Sequence, residues 1–160
     1  MQYHLTKKIK NMKKLMTILI AIVLLFSATA FATTVEKITP IIKLAFEKDF
    51  IKAQNVHWEK TGDFYFASFY LNDVEVNAAY NEMGELVGTS RRIATTQLPL
   101  NISLILSKKY SGYTIYRDAT EISFEGETKY LVTVTNTKQS LRLKIKTSGE
   151  VTEDKKVKNL

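Results

Sequence analysis

The chain has no cysteine. That excludes disulfides, a thiol nucleophile, thiolate metal ligands and a lipid carried on an N-terminal cysteine, so the fold must stand on packing alone. Histidine is nearly as scarce, with His57 the only one after residue 32. A Cys-His pair is impossible, and a Ser-His-Asp arrangement would have to use that single imidazole. Metal sites draw on several convergent His, Cys, Asp or Glu groups, which a lone histidine beside Trp58 does not supply. Also missing are a Gly-x-Ser-x-Gly elbow, a phosphate-cradling glycine loop and a His-Glu-x-x-His helix. The acids Glu121, Glu125, Glu127, Glu153 and Asp154 read as a solvated edge at turns and strand ends. No catalytic, cofactor-binding or metal-ligating residue emerges, and no cofactor is expected. These absences weigh against a small hydrolase or a metal-binding protein and favour a non-enzyme.

Acidic side chains are absent from the first 32 residues, which instead carry lysines at 7, 8, 10, 13 and 14 and an apolar run from Leu15 to Phe26. The run is too short to span a bilayer, which takes about 20 apolar residues. It closes in Ser-Ala-Thr-Ala-Phe-Ala, whose Ala30 and Ala32 give the small-x-small pattern of a signal peptidase site. Residues 1–32 therefore read as a secretory signal peptide cut after Ala32, with Ala30 the alternative, and with Met1 or Met12 as the start. The expected product is periplasmic or secreted and keeps no stable membrane anchor after cleavage.

The formal charge of +7 shrinks once the leader is set apart, because 18 basic residues then face 16 acidic ones, leaving +2. The lysines are interspersed with acids, and the electrostatic footprint of a nucleic-acid binder is missing. The remaining residues, 33–160, suit one domain.

Only two prolines occur, and each marks a helix start. Thr39 before Pro40 predicts a capped helix with Ile42, Ala45, Phe46 and Phe50 on its apolar stripe. Thr95 or Thr96 as cap, with Pro99 in the first turn, predicts a second helix with Leu98, Ile102, Ile105, Leu106 and Tyr110 facing inward. Four strands follow each helix. Thr128–Thr135 and Ser140–Lys146 form the clearest hairpin: Tyr130, Val132, Val134, Leu141, Leu143 and Ile145 face one way, and mostly polar residues the other. Shifted back by 65 positions, the pattern falls on Tyr65, Ala67, Phe69, Val76, Ala78 and Tyr80, and Gly149 falls on Gly84. The chain reads as an α+β protein with a tandem repeat of two helix-plus-four-strand antiparallel units, the first about 39–93 and the second about 95–157.

That register assigns Phe64, Phe66 and Tyr70 to the outer face of the first unit, joined by Trp58 or His57 from the neighbouring strand. Aromatic residues with polar tips are enriched at interface hot spots. The expected function is binding of a protein or peptide, inhibitor-like, through burial of Phe64, Phe66 and Tyr70, with nearby charges setting the register. The alternative within binding is a homodimer or self-associating structural or envelope-stress protein, and permanent burial of the strand on both sides is the third reading. Phe69→Ala and Leu143→Ala should each cost about 3 kcal/mol or more, and Phe66→Ala much less.

The segments Phe46-Glu47-Lys48-Asp49-Phe50, Ala53-Gln54-Asn55-Val56-His57-Trp58-Glu59-Lys60, Ala67-Ser68-Phe69, Asn81-Glu82-Met83-Gly84-Glu85-Leu86-Val87-Gly88-Thr89-Ser90, Leu98-Pro99 and Lys109-Tyr110-Ser111-Gly112-Tyr113 carry a family likeness. From about Pro40 to Val157 the chain resembles the PepSY-like, beta-lactamase-inhibitor-like proteins exported by Bacteroidetes-type bacteria. The resemblance implies that both units' sheets join into one, with helices on one side and an open, partner-binding face on the other. It brings no catalytic motif with it, and a shared fold does not carry a shared partner.

Overall fold

A computed structural model describes residues 38–158 of the chain; the signal peptide assigned to residues 1–32 lies outside them. The elements are α1 (Pro40–Asp49), β1 (Gln54–Thr61), β2 (Phe64–Leu71), β3 (Val74–Asn81), β4 (Leu86–Ala94), a 3-10 turn (Thr95–Gln97), α2 (Leu100–Lys109), β5 (Thr114–Phe124), β6 (Glu127–Thr135), β7 (Gln139–Lys146) and β8 (Val151–Lys158). The strands form one antiparallel eight-stranded sheet in chain order, so the described protein is α+β with two α-helices. Two compact units are distinguished, one up to Asp73 plus Asn77–Thr89, the other Val74–Val76 plus Ser90 onward. No described helix is long and apolar enough to cross a membrane.

The first helix starts at Pro40 and the second directly after Pro99, yet neither uses a threonine side chain as a cap. The Thr39 hydroxyl makes no cap bond, and it is the backbone oxygen of Thr39 that accepts from Ile42 and Lys43 N–H. The expected Thr95 or Thr96 cap of the second helix is corrected more sharply. Thr95–Gln97 is a 3-10 turn closed by Gln97 Oε1 accepting from Ala94 N–H, and Pro99 precedes the helix instead of lying in its first turn. A residue before proline is pushed out of the α region. Leu98, with ψ 146, therefore cannot begin a helix, and Pro99 oxygen takes the first bonds from Ile102 and Ser103.

Within the first unit, α1 lays Ile42 and Phe46 on the sheet. Phe46 is the hub: its ring centroid lies 5.0 Å from Phe69, 5.1 Å from Trp58, 5.4 Å from Phe50 and 6.3 Å from Tyr80. Edge-to-face and tilted pairs at these spacings add to the gain from burial. In the second unit, α2 buries Ile102 and Leu106 in a core with Ala119, Tyr130, Val132, Val134, Leu141, Leu143 and Ile145. All twelve positions expected to face the core from the central hairpins are buried.

Two turns have the same geometry. Gly84 N–H bonds to Asn81 oxygen and Asn81 N–H to Glu85 oxygen; Gly149 N–H bonds to Lys146 oxygen and Lys146 N–H to Glu150 oxygen. Each glycine has positive φ, +77 and +90, a conformation costing an L-residue about 1–2 kcal/mol. Each also abuts its unit's helix, but against different atoms. A Cβ on Gly84 would stand 3.2 Å from Ile41 backbone oxygen, whereas one on Gly149 would stand 2.6 Å from the Cδ1 tip of Ile105, which can rotate away. Gly84→Ala should therefore cost about 2 kcal/mol and Gly149→Ala about 1, an order that urea denaturation of the two variants will check.

Candidate functional site

The first unit has a sheet with two chemically different faces. Phe69 and Tyr80 turn toward α1, and alternation sends Phe66, Ser68 and Tyr70 to the opposite side. On β1, His57 pairs with Ser68 and Glu59 with Phe66, so both lie on that opposite face. A polar row crosses it from His57 through Ser68 to Asn77, where Ser68 Oγ donates to Asn77 Oδ1 at 2.6 Å. Asn77 is itself buried, and its Nδ2 makes no hydrogen bond among the described residues.

The five residues expected to bind a partner are not brought together as a set. Tyr70 is 46% exposed, His57 is exposed and Phe64 is half-buried, all available at the surface. Phe66 is only 2% exposed, which corrects the expectation that its truncation would cost little. Alternation fixes which way a side chain points, not how much neighbouring atoms cover it. The two-residue Asn72-Asp73 turn sets Phe66 across from Ala79, itself fully buried, so Phe66 lies in the floor of this face. Trp58 belongs to the other side, with its ring 5.1 Å from Phe46 and 6.3 Å from Tyr80. Of the two β1 candidates, His57 is the one on the outer face.

A second feature was not anticipated. At the C-terminal end of α1, a pocket of about 260 Å³ is walled by Phe46, Phe50, Ile51, Ala53, Val56 and Trp58, with Lys43 and Glu47 at its rim. Ile51 is 85% exposed there.

The polar groups of the cores are held by specific partners. Tyr80, fully buried, donates from its hydroxyl to Asp49 Oδ2 at 2.9 Å. Burial first, then the hydrogen bond to Asp49 and its charge, push the phenol well above its ordinary pKa of 10.0. Tyr130 is raised by burial and by Glu121, and Tyr110 by burial and Glu153. Glu121 is thus not a solvated edge residue: it stands within β5 and accepts from Arg91 Nε at 2.7 Å. Asp154 is similarly occupied, by Arg142 at 2.6 Å and Lys144 at 3.4 Å.

All three tyrosines have a folded pKa above the unfolded one, so their contribution is complete below pH 10 and is lost as pH rises past it. Stability measured by urea denaturation should fall above about pH 10, and Tyr80→Phe should flatten that fall. Near neutrality the same change should cost about 1 kcal/mol, for the lost hydrogen bond.

Among the described residues, no group of three or more His, Cys, Asp or Glu side chains is placed to hold a metal ion. The site offers instead a mixed aromatic and polar sheet face and, on the other side, a pocket lined by aromatic, aliphatic and charged residues.

No protein-family model matches the sequence, and none of the curated proteins is significantly similar to it. Solved structures do match. A BLIP-like protein from Bacteroides fragilis superposes with a TM-score of 0.65 at 19% identity, covering 78% of this chain and 90% of that one. A DUF2874 family protein from Bacteroides uniformis gives 0.65 at 16% identity, covering 76% and 90%. A proposed periplasmic protein from Bacteroides eggerthii gives 0.65 at 16% identity, covering 77% and 90%. At these identities the likeness establishes the fold: this chain has the fold of the BLIP-like and DUF2874 proteins of Bacteroides.

Proposed function

We propose that this chain, which shares its fold with the BLIP-like and DUF2874 proteins of Bacteroides, is an exported, non-enzymatic module that binds a protein or peptide. Binding uses the face of the first unit's sheet opposite α1. The observation that carries this reading is the exposure of Tyr70 and His57 on that face, beside half-buried Phe64 and over a floor of Phe66, Ser68 and Asn77. Aromatic side chains over a well-packed floor are the composition of an interface hot spot, and a rim of polar groups around them supplies register. Phe66 contributes by holding the floor and not by touching the partner.

Export rests on the leader of residues 1–32, and the periplasmic description of one structural neighbour agrees with it. We read the two helix-plus-four-strand segments as a tandem repeat. The matched burial of the twelve hairpin positions and the common geometry of the Gly84 and Gly149 turns support that.

The test is a comparative pull-down from envelope and culture fractions of the native host. The bait pair is the wild-type protein and a Phe64→Ser, Tyr70→Ser double variant, which leaves Phe66 in place so that the fold is kept. A protein retained by the first and lost by the second is the expected result. If both baits retain the same proteins, or neither retains any, this face is not the binding surface.

A further inference from the structure

The outer sheet faces of the two units differ in how their charges are met. In the second unit, every cation that β6 and β7 turn away from α2 has a carboxylate: Lys129 has Glu127 at 2.7 Å, Arg142 and Lys144 share Asp154 at 2.6 and 3.4 Å, and Lys146 has Glu150 at 2.5 Å. In the first unit, Glu59 of β1 pairs with Phe66 of β2, so its side chain lies on the face opposite α1. It is half-buried, and it makes no hydrogen bond or ion pair among the described residues. Removing part of a carboxylate's water without supplying a cation or a donor costs free energy. These strands have no lysine or arginine at hand to offset that cost. Between Gln54 and Asn81 the only one is Lys60, which alternation sends to the other face, where its Nζ stands 5.3 Å from the centre of the Tyr65 ring.

We propose that the partner received by the first unit's outer sheet face presents an arginine, whose guanidinium pairs with Glu59 and stacks on the ring of Phe64. This inference rests on the binding face read above and names the chemistry of its occupant, an arginine-bearing basic segment of a protein. The register places the two contacts side by side. Glu59 stands directly across from Phe66, and Phe64 is its diagonal neighbour on the same face. Such pairs have Cβ atoms about 5 Å and about 7–8 Å apart, within reach of one planar group. Phe66 is buried and closes the floor there, while Phe64 is half-buried and still reachable from solvent.

Guanidinium suits that arrangement better than ammonium. Its flat fork takes both oxygens of a carboxylate in one plane, and its face stacks on an aromatic ring. A lysine brings the same charge as a point, without the fork. The surrounding chain selects the sign as well. From Gln54 to Asn81 the sequence carries Glu59, Asp63, Asp73 and Glu75 against Lys60 alone, so a basic segment is drawn to these strands and an acidic one repelled.

The probes are acetyl-Ala-Arg-Ala-amide, acetyl-Ala-Lys-Ala-amide and the neutral citrulline analogue of the first, titrated into the 15N-labelled protein at low ionic strength, where charge pairs are least screened. The arginyl peptide should move the amide signals of His57, Glu59 and Phe66 saturably. It should bind more tightly than the lysyl peptide and about tenfold more tightly than the citrullyl one. Glu59→Gln should weaken the arginyl peptide about tenfold while keeping or raising the urea midpoint, because an unpaired charge is removed. Equal binding of the arginyl and citrullyl peptides, unchanged affinity in folded Glu59→Gln, or shifts spread over the carboxylates of both units would each overturn the proposal. The wild-type series decides alone if Glu59→Gln does not fold. Broadening of the same signals with protein concentration and no peptide would assign Glu59 to a second copy of this chain and overturn it equally. Glu59→Gln also joins the pull-down as a third bait: a protein lost by the Phe64→Ser, Tyr70→Ser bait but kept by Glu59→Gln overturns the arginine contact and leaves the binding face standing.

Discussion

Phe69→Ala lowers the unfolding free energy by about 3–5 kcal/mol, the range for deleting a buried phenylalanine ring. Phe69 is 2% exposed and holds two rings at once, Phe46 at 5.0 Å and Phe50 at 4.7 Å. Truncation leaves a cavity that the flanking elements cannot close. On one side α1 already lies close against the Gly84 turn, and on the other β2 is held in its register with β1. A domain of this size has a total stability of about 5–15 kcal/mol, so the variant retains a fraction of it or is unfolded outright. Equilibrium urea denaturation, read by Trp58 fluorescence and by far-ultraviolet circular dichroism, gives the number; a loss below about 1.5 kcal/mol would mean that the aromatic cluster repacks as a fluid and not as a fitted core.

Phe66→Ala has nearly as large an effect, about 3 kcal/mol, while Tyr70→Ser four residues along costs less than about 1. Both side chains leave the same face of β2, yet one is 2% and the other 46% exposed. The difference between them separates the floor of the proposed binding face from its contact surface. It can be measured on three proteins in one denaturation series. Similar losses at both residues would place Tyr70 under cover and remove the surface on which partner binding depends. Small losses at both would instead return Phe66 to the role of a contact residue.

Much of this arrangement is legible in the sequence. Period-two alternation named the inward residues of both central hairpins, and the helical stripes named Ile42, Phe46, Ile102 and Leu106, because each pattern reflects a fixed geometry of the backbone. What alternation cannot carry is coverage, and this is why it gives Phe66 the right direction and not its exposure. Trp58 and His57 alternate across β1, and the register that runs unbroken from Thr61↔Phe64 to His57↔Ser68 sets Trp58 across from inward Ala67 and so on the α1 side; the sequence leaves open how many residues the Thr61-Gly62-Asp63 turn takes, and with it that register. The start of the second helix was misplaced because a side-chain cap and a proline were both available, and the restriction on the residue before proline decided the matter. The pocket is beyond reach for a different reason: it is lined by residues from α1, the loop after it and β1, and which of them meet depends on how the backbone turns between helix and strand.

The order of the strands has a consequence for how the chain finds its structure. Every strand is bonded to its immediate predecessor and successor in the sequence. Three of the connections are two-residue turns, at Gly62-Asp63, Asn72-Asp73 and Glu125-Gly126, and closing such short loops costs little entropy. A sheet of this size that joined distant segments would have to wait for long loops to close and would fold slowly. Here each hairpin can form on its own within about 1–10 μs and hand its neighbour a ready edge, so assembly can advance strand by strand. A chain that arrives from one end needs no later segment to begin.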